Sequence, residues 1–312
     1  MGGSNRREAA AATEEVAKVV VGDIAARPRL PGHVITFANE KGGVGKSTLS
    51  FHCAIALASR GQRVVAIDLD PRQRTLHRVL RYREGTSRSL GVPLPSPAFA
   101  TLERPCAAQL WQEIARLDAA ADFVIIDAAG SDSPIFRRAV AAADTLVTPV
   151  NASFVDLDLL GRLSPVTKNL NEAGSFARLV TDIRAERRAA GLGWTDWLVL
   201  KNRVRHSERK QGERIDEALH RLAIANDFRV GHGLSERVAF RELFQFGLTH
   251  LDLKHIPGLS RLKARAAAEI DGLVQDLSLT LSDRLRPLPK RPNARILRTA
   301  GIAYGDALQA II

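Results

Sequence analysis

The chain has 312 residues, long enough for one large α/β domain with tails, and its 45 Lys and Arg outweigh 34 Asp and Glu to give a net charge of +11. Such a surface favours polyanions, either nucleic acid or an acidic membrane. Two cysteines, Cys53 and Cys106, exclude a disulfide framework, and their distance from other Cys or His residues leaves no zinc pattern.

Residues 1–31 read as an N-terminal extension that is expected to be flexible. Gly2, Gly3 and Ser4 open it, Ala9 to Ala12 is low in complexity, and Pro28 and Pro31 close it. A short helix around Glu14 to Val21 would pack its apolar run on the body or offer it to a partner. Residues 32–282 form the main domain. Its first strand, Val34–Ala38, is apolar and β-branched, as a buried parallel strand should be. The run Lys41-Gly42-Gly43-Val44-Gly45-Lys46-Ser47-Thr48 follows. It is a P-loop, a turn whose backbone N–H groups cradle phosphates, with Lys46 for the β/γ oxygens and a Ser47 hydroxyl for Mg²⁺. Leu49, Cys53, Ile55, Ala56 and Leu57 then recur at helical spacing up to a stop at Gly61. Strand, glycine loop and helix together aim a helix N-terminus at an anion.

Further strands are expected at Val64–Asp68, Phe123–Asp127, Thr145–Val150, Trp197–Lys201 and Phe228–Val230, each followed by a helical pattern. This predicts an α/β fold: a doubly wound, mainly parallel sheet flanked by helices, with ligands beyond the carboxyl ends of the strands. Residues 84–105, rich in Gly, Ser and Pro, read as a long surface excursion, and residues 283–312 as a basic C-terminal tail. No apolar run is long enough to span a bilayer, and no signal peptide precedes the first strand, so a cytoplasmic protein without a membrane partner is expected.

Polar residues after these strands supply the chemistry. Asp68 and Asp70 follow the second strand. Asp68 is placed to hold Mg²⁺ through water, and Asp70 to orient an attacking water; the structural alternative for Asp70 is a turn and cap before Pro71. Asp127 ends the third strand in the Walker B pattern, a second metal-supporting carboxylate. Gly130 permits a switch, and Ser133-Pro134 reads as an N-cap with Pro at N1. Asn202, with a donor and an acceptor, suits an adenine edge or a turn. In the helix starting near Ser207, Ile215, Ala218, Leu219 and Leu222 form a buried stripe. Lys210, Arg214 and Arg221 form a separate basic stripe, which either lies along phosphates or is a solvated face with i,i+4 pairs.

With these residues in view, the chain resembles the ParA/MinD group of P-loop ATPases, and within it the MipZ family of division-plane-positioning ATPases. The narrower likeness rests on the segments Ile67 to Thr75, Asn151 to Asp156 and Arg241 to Leu248, and covers residues 33–255. The resemblance implies that ATP and Mg²⁺ are the cofactors and that Lys41, the early lysine of a deviant Walker A loop, reaches across an ATP-bound homodimer. It implies that Asp70 supports slow hydrolysis, and that Lys210, Arg214 and Arg237 hold chromosomal DNA without sequence preference, so that the protein is nucleoid-associated. A ParB-like centromere-binding protein would recruit the monomer, and the ATP-bound dimer would block FtsZ assembly. Ala128-Ala129 replaces the Thr-Pro usual after the Walker B Asp, Pro71 stiffens the Asp70 loop, and Ser235 stands where a basic DNA contact is expected. The alternative within the group is a ParA-type chromosome or plasmid partitioning ATPase. A MinD-type membrane ATPase would need a C-terminal amphipathic helix, which Gly301 and Gly305 interrupt. An iron–sulfur reductase would need paired cysteines, and a ligase a substrate pocket.

Overall fold

In a computed structural model, the described residues are 16–151, 153–164, 166–167, 169–202, 209–235, 238–256 and 264–281. Seven strands form one sheet: β1 (His33–Phe37), β2 (Val64–Asp68), β3 (Ala98–Thr101), β4 (Phe123–Asp127), β5 (Thr145–Asn151), β8 (Asp196–Asn202) and β9 (Arg229–His232). Their order is β3-β2-β4-β1-β5-β8-β9 and every pairing is parallel. β6 (Gly161–Leu163) and β7 (Leu170–Ala173) make a separate antiparallel pair.

Side-chain alternation sends successive strand residues to opposite layers. Val34, Val65, Val124, Ile126 and Val199 join one core, with helices 16–25 (α1), α4 (Ala107–Asp118), α5 (Pro134–Ala142), α7 (Ser175–Ala189) and α8 (Arg209–Asn226). Ile35, Phe37, Ala66, Ile125 and Leu198 join the other, with α2 (Lys46–Ser59), α3 (Thr75–Leu90), α9 (Val238–Gln245) and α10 (Ala264–Asp276). The short α6 (Phe154–Leu157) follows β5. β1 lies between β4 and β5, so the chain winds outward in both directions from β1 and leaves a crevice at its carboxyl end.

Two expectations change. The segment before β1 is not peripheral from residue 16 onward: Ala17, Val20, Val21, Ile24 and Leu30 are buried in the first core, so the apolar stripe of α1 packs on the body. Residues 84–105 are not a surface excursion either. α3 continues to Leu90, Gly91 caps it at φ +60°, and β3 pairs with β2. The reason is a buried ion pair: Arg83 donates to both oxygens of Asp252 at 2.6 and 2.8 Å, and to the carbonyls of Pro95 and Gly247. This draws Val92 and Leu94 under Leu248, Leu253 and Ile256. Residues 1–15 and the proposed tail 283–312 lie outside the described residues.

Candidate functional site

The P-loop fills the turn from β1 to α2. Gly43 and Gly45 have φ of +76° and +95°, which side chains rarely adopt. A Cβ on Gly45 would also fall 2.2 Å from Asn202 Nδ2. Lys46 is buried and its Nζ donates to the carbonyls of Asn39 and Lys41 at 3.0 and 2.7 Å. Burial lowers its pKa, while Asp127 and Asp70 oppose the shift. Gly130 closes the far wall: a Cβ there would sit 3.1 Å from Gly42 Cα and 3.2 Å from Lys46 Nζ. Ser133 caps α5 by accepting from Phe136 N, with Pro134 at the first turn, as expected.

The two strand-end carboxylates are register partners, Asp68 on β2 beside Asp127 on β4, and both are buried. Burial and the Asp68 charge push Asp127 up to about 7, against the Ser47 hydroxyl, Lys46 and Ser50. Asp68 is raised by burial, while hydrogen bonds from the backbone N–H groups of Asp70 and His77 hold it down. Two crowded carboxylates beside a hydroxyl form a hard oxygen set, and a dication there would favour their ionised forms. The residues fit Mg²⁺. Among the described residues no group of three or more His, Cys, Asp or Glu is placed to hold a metal, so water and phosphate would complete the shell.

Asp70 Oδ1 accepts from the N–H groups of Arg72 and Gln73, so its turn role is real, and its charge also reaches Lys46. Asn202 is buried, its Nδ2 donates to the Val44 carbonyl at 2.9 Å and its Oδ1 accepts from Leu234 N, so its amide braces the P-loop through one of its two N–H groups. Lys41 sits at the rim, where Nζ donates to Asp156 Oδ1 and the Val155 carbonyl.

On α8 the apolar stripe Ile215, Ala218, Leu219 and Leu222 is buried. Arg214 is exposed with no ion pair among the described residues, whereas Arg221 pairs with Glu217 at 3.0 Å. Arg237 and the Lys210 side chain lie outside the described residues. Sequence reasoning missed Ser50, whose hydroxyl lies 3.3 Å from Asp127, and the Asp156 partner of Lys41. Ser50 follows Lys46 by one helical turn, which could have flagged it; nothing local links Asp156 to a lysine 115 residues away.

The family described as ATPase MipZ matches residues 33–281. The chromosome-partitioning ATPase Soj of Thermus thermophilus is 35% identical over 159 residues, 44% of this chain and 64% of that protein. The chain thus aligns with a little under two thirds of this relative's length. The fold is shared with apo McdA of Cyanothece (TM-score 0.54, 17% identity, 78% of this chain and 99% of that one). It is also shared with the cell-division protein MinD of Aquifex aeolicus (TM-score 0.50, 18% identity, 83% and 100%).

Proposed function

This chain belongs to the MipZ family of ATPases, and from that premise we propose that it is an ATP-gated dimerisation switch. In this reading the ATP-bound dimer binds DNA without sequence preference and positions cell division by inhibiting FtsZ assembly. Hydrolysis returns the dimer to monomers. The observation that carries the reading is Lys41: a lysine at the entrance of an otherwise ordinary P-loop, placed at the surface, where it can leave its own chain.

The amides of residues 42–48 and the dipole of α2 hold the phosphates. Lys46, already desolvated between Asp127 and the loop carbonyls, exchanges two carbonyl acceptors for phosphate oxygens. Ser47, Asp127 and Asp68 would hold Mg²⁺, which would supply charge neutralisation at the phosphates. Asp70, next to the metal-supporting Asp68 and tied into the loop before α3, orients the attacking water. Gly130 lets the segment after β4 approach the P-loop and report its occupancy. Arg214, with Lys210 and Arg237, lies along DNA phosphates, and a ParB-like protein recruits the chain to its origin. The protein acts in the cytoplasm, associated with the nucleoid.

The 35% identity to Soj favours a second reading, in which the same cycle partitions DNA. Size-exclusion chromatography and DNA retention with ADP and with a slowly hydrolysed ATP analogue test the switch. Analogue-dependent dimers that retain DNA are expected; a monomer that binds analogue and Mg²⁺ refutes it. Pull-down with FtsZ and with a ParB-like protein separates the two cargoes.

A further inference from the structure

The solvent face of α3 carries a row of arginines that the proposed cycle does not use. Arg74, just before the helix, is followed by Arg78, Arg81, Gly85 and Arg88 at alternating steps of four and three, so these positions share one face. Arg72 adds a further guanidinium in the entrance loop. Arg72, Arg74, Arg78, Arg81 and Arg88 are all exposed, while Leu76, Val79, Leu80 and Leu90 bury the opposite face. Arg83 belongs to that buried face and to its pair with Asp252.

A solvated helix face ordinarily mixes charges of both signs. This one does not. Two carboxylates lie on the same stretch. Asp70 is turned into its loop, where it accepts from the N–H groups of Arg72 and Gln73, and Glu84 pairs with Arg81 at 2.7 Å. Arg72, Arg74, Arg78 and Arg88 have no carboxylate partner from any element among the described residues. Arg74 Nε donates to the Pro71 carbonyl and Arg88 Nε to the Glu84 carbonyl, which leaves the terminal nitrogens of both for solvent.

The row weakens its own helix. Arg74, Arg78 and Arg81 are like charges at i,i+4 and i,i+3 spacing, and the first turn holds no acidic residue to suit the helix dipole. Burial lowers the pKa of His77, and the charges of Arg81 and Arg74 lower it further against Glu84. Arg74 has φ +48°, in the left-handed region that residues other than glycine seldom enter. Gly85, at the middle of the row, has nothing within 4 Å of where a Cβ would stand. A glycine inside a helix is destabilising relative to alanine, and no packing in this fold requires it here. It leaves a notch between Arg81 and Arg88 through which a partner can approach the backbone closely.

We propose that this face of α3 is a second nucleic-acid surface, which takes the phosphate backbone of DNA along its length. From Arg74 to Arg88 the row is about 21 Å long, the axial length of about six nucleotides of one strand. Arginine donates in pairs to phosphate oxygens. Tyr82 is the one large apolar side chain exposed on this helix, so the face lacks the apolar cluster on which a protein partner anchors or which a membrane surface takes up. One row is a weak contact, on the order of 10⁻⁴ to 10⁻⁶ M. It is complete within one chain, so it goes beyond the switch reading and needs neither nucleotide nor dimer; a dimer carries two rows and gains by avidity.

The probe is a short fluorescently labelled duplex, titrated with the full chain without nucleotide at several low salt concentrations and read by anisotropy. Omitting nucleotide keeps the test separate from the switch reading. Arg78→Ala combined with Arg88→Ala should weaken binding about tenfold or more and flatten the salt dependence of log K by about 1.8. Both positions are exposed, so the melting temperature should not fall and the size-exclusion profile with an ATP analogue should be that of the unaltered chain. Gly85→Leu should raise the melting temperature and weaken DNA binding about threefold or more, two effects of opposite sign that a merely structural role would not give. No binding without nucleotide, or unchanged affinity in the double variant or in Gly85→Leu, overturns the proposal. So does competition by polyglutamate equal to that by unlabelled DNA, which would mark a surface for an acidic protein. Sedimentation with phosphatidylglycerol vesicles that the double variant loses would mark a membrane surface and overturn it as well.

Discussion

Lys41 Nζ lies 2.8 Å from Asp156 Oδ1, an ion pair that fastens the entrance of the P-loop to α6 of the same chain. In the proposed dimer this lysine must reach the partner's nucleotide, so the intramolecular pair has to open first. The pair is partly exposed, and such pairs contribute about 0–1 kcal/mol. It is a weak tether that a triphosphate can outcompete.

Asp156→Ala should therefore shift dimer formation with a slowly hydrolysed ATP analogue to roughly two- to fivefold lower protein concentration. Lys41→Ala should stay monomeric under the same conditions. Analytical ultracentrifugation measures both. A weaker dimer in Asp156→Ala would mean that the carboxylate acts within the dimer and not as a tether.

Asp70→Ala should bind ATP, dimerise and persist, with phosphate release reduced by about 10²-fold or more. Losing the two N–H acceptor contacts to Arg72 and Gln73 should lower stability by about 1 kcal/mol. Ordinary turnover in this variant would leave Asp70 as a turn residue only.

Asn202→Ala strips the Val44 carbonyl and the Leu234 N–H of their side-chain partner in a buried place, a loss of about 1–3 kcal/mol. Nucleotide affinity should fall by similar factors for ATP and GTP, because the residue braces the loop. Competition titrations with both nucleotides check this; a changed preference between the bases would return Asn202 to the base edge.

Asp127 gives a signed pH dependence. Its carboxyl sits at about 7 when folded and near the ordinary 4 when unfolded, so between these values the folded chain binds more protons. Its contribution to stability therefore declines as pH rises from about 4 to about 7, and the full penalty is present above 7. Asp127→Asn should raise stability at pH 8 by about 2–4 kcal/mol, with the gain shrinking towards pH 4. The same variant should lose Mg²⁺-dependent nucleotide binding. Calorimetric melting at several pH values would refute the account if the gain were independent of pH.

Lys210→Ala combined with Arg214→Ala should weaken DNA binding evenly across sequences and flatten the salt dependence of log K by about 1.8, two phosphate contacts' worth. An unchanged slope would remove the α8 patch.

Much of this molecule was legible along the chain because its signals are local. The strands Val64–Asp68 and Phe123–Asp127 coincide with their expected limits, since a buried parallel strand is a short apolar run ended by a polar residue. The P-loop needs glycine where φ is positive, and Gly43 and Gly45 stand there. Ser133-Pro134 starts a helix by its own chemistry. The stripe on α8 follows from helical period alone.

Partnerships between distant residues are different in kind. Nothing along the chain singles out Arg83, which Asp252 meets in the core, and β3 reads as part of a surface excursion until β2 offers it a ladder. Asn202 reads as a base-edge or turn residue along the chain, and only the fold adds Val44 and Leu234 as partners of its amide. The sequence by itself determined six of the sheet's seven strands, the phosphate loop and the carboxylates at the strand ends, because backbone conformation and hydrophobic period depend on neighbours in the chain. Only the tertiary structure decided where Lys41, Asn202 and the buried arginines direct their donors, because a desolvated charge or amide takes its partner from whatever packing brings within about 3 Å.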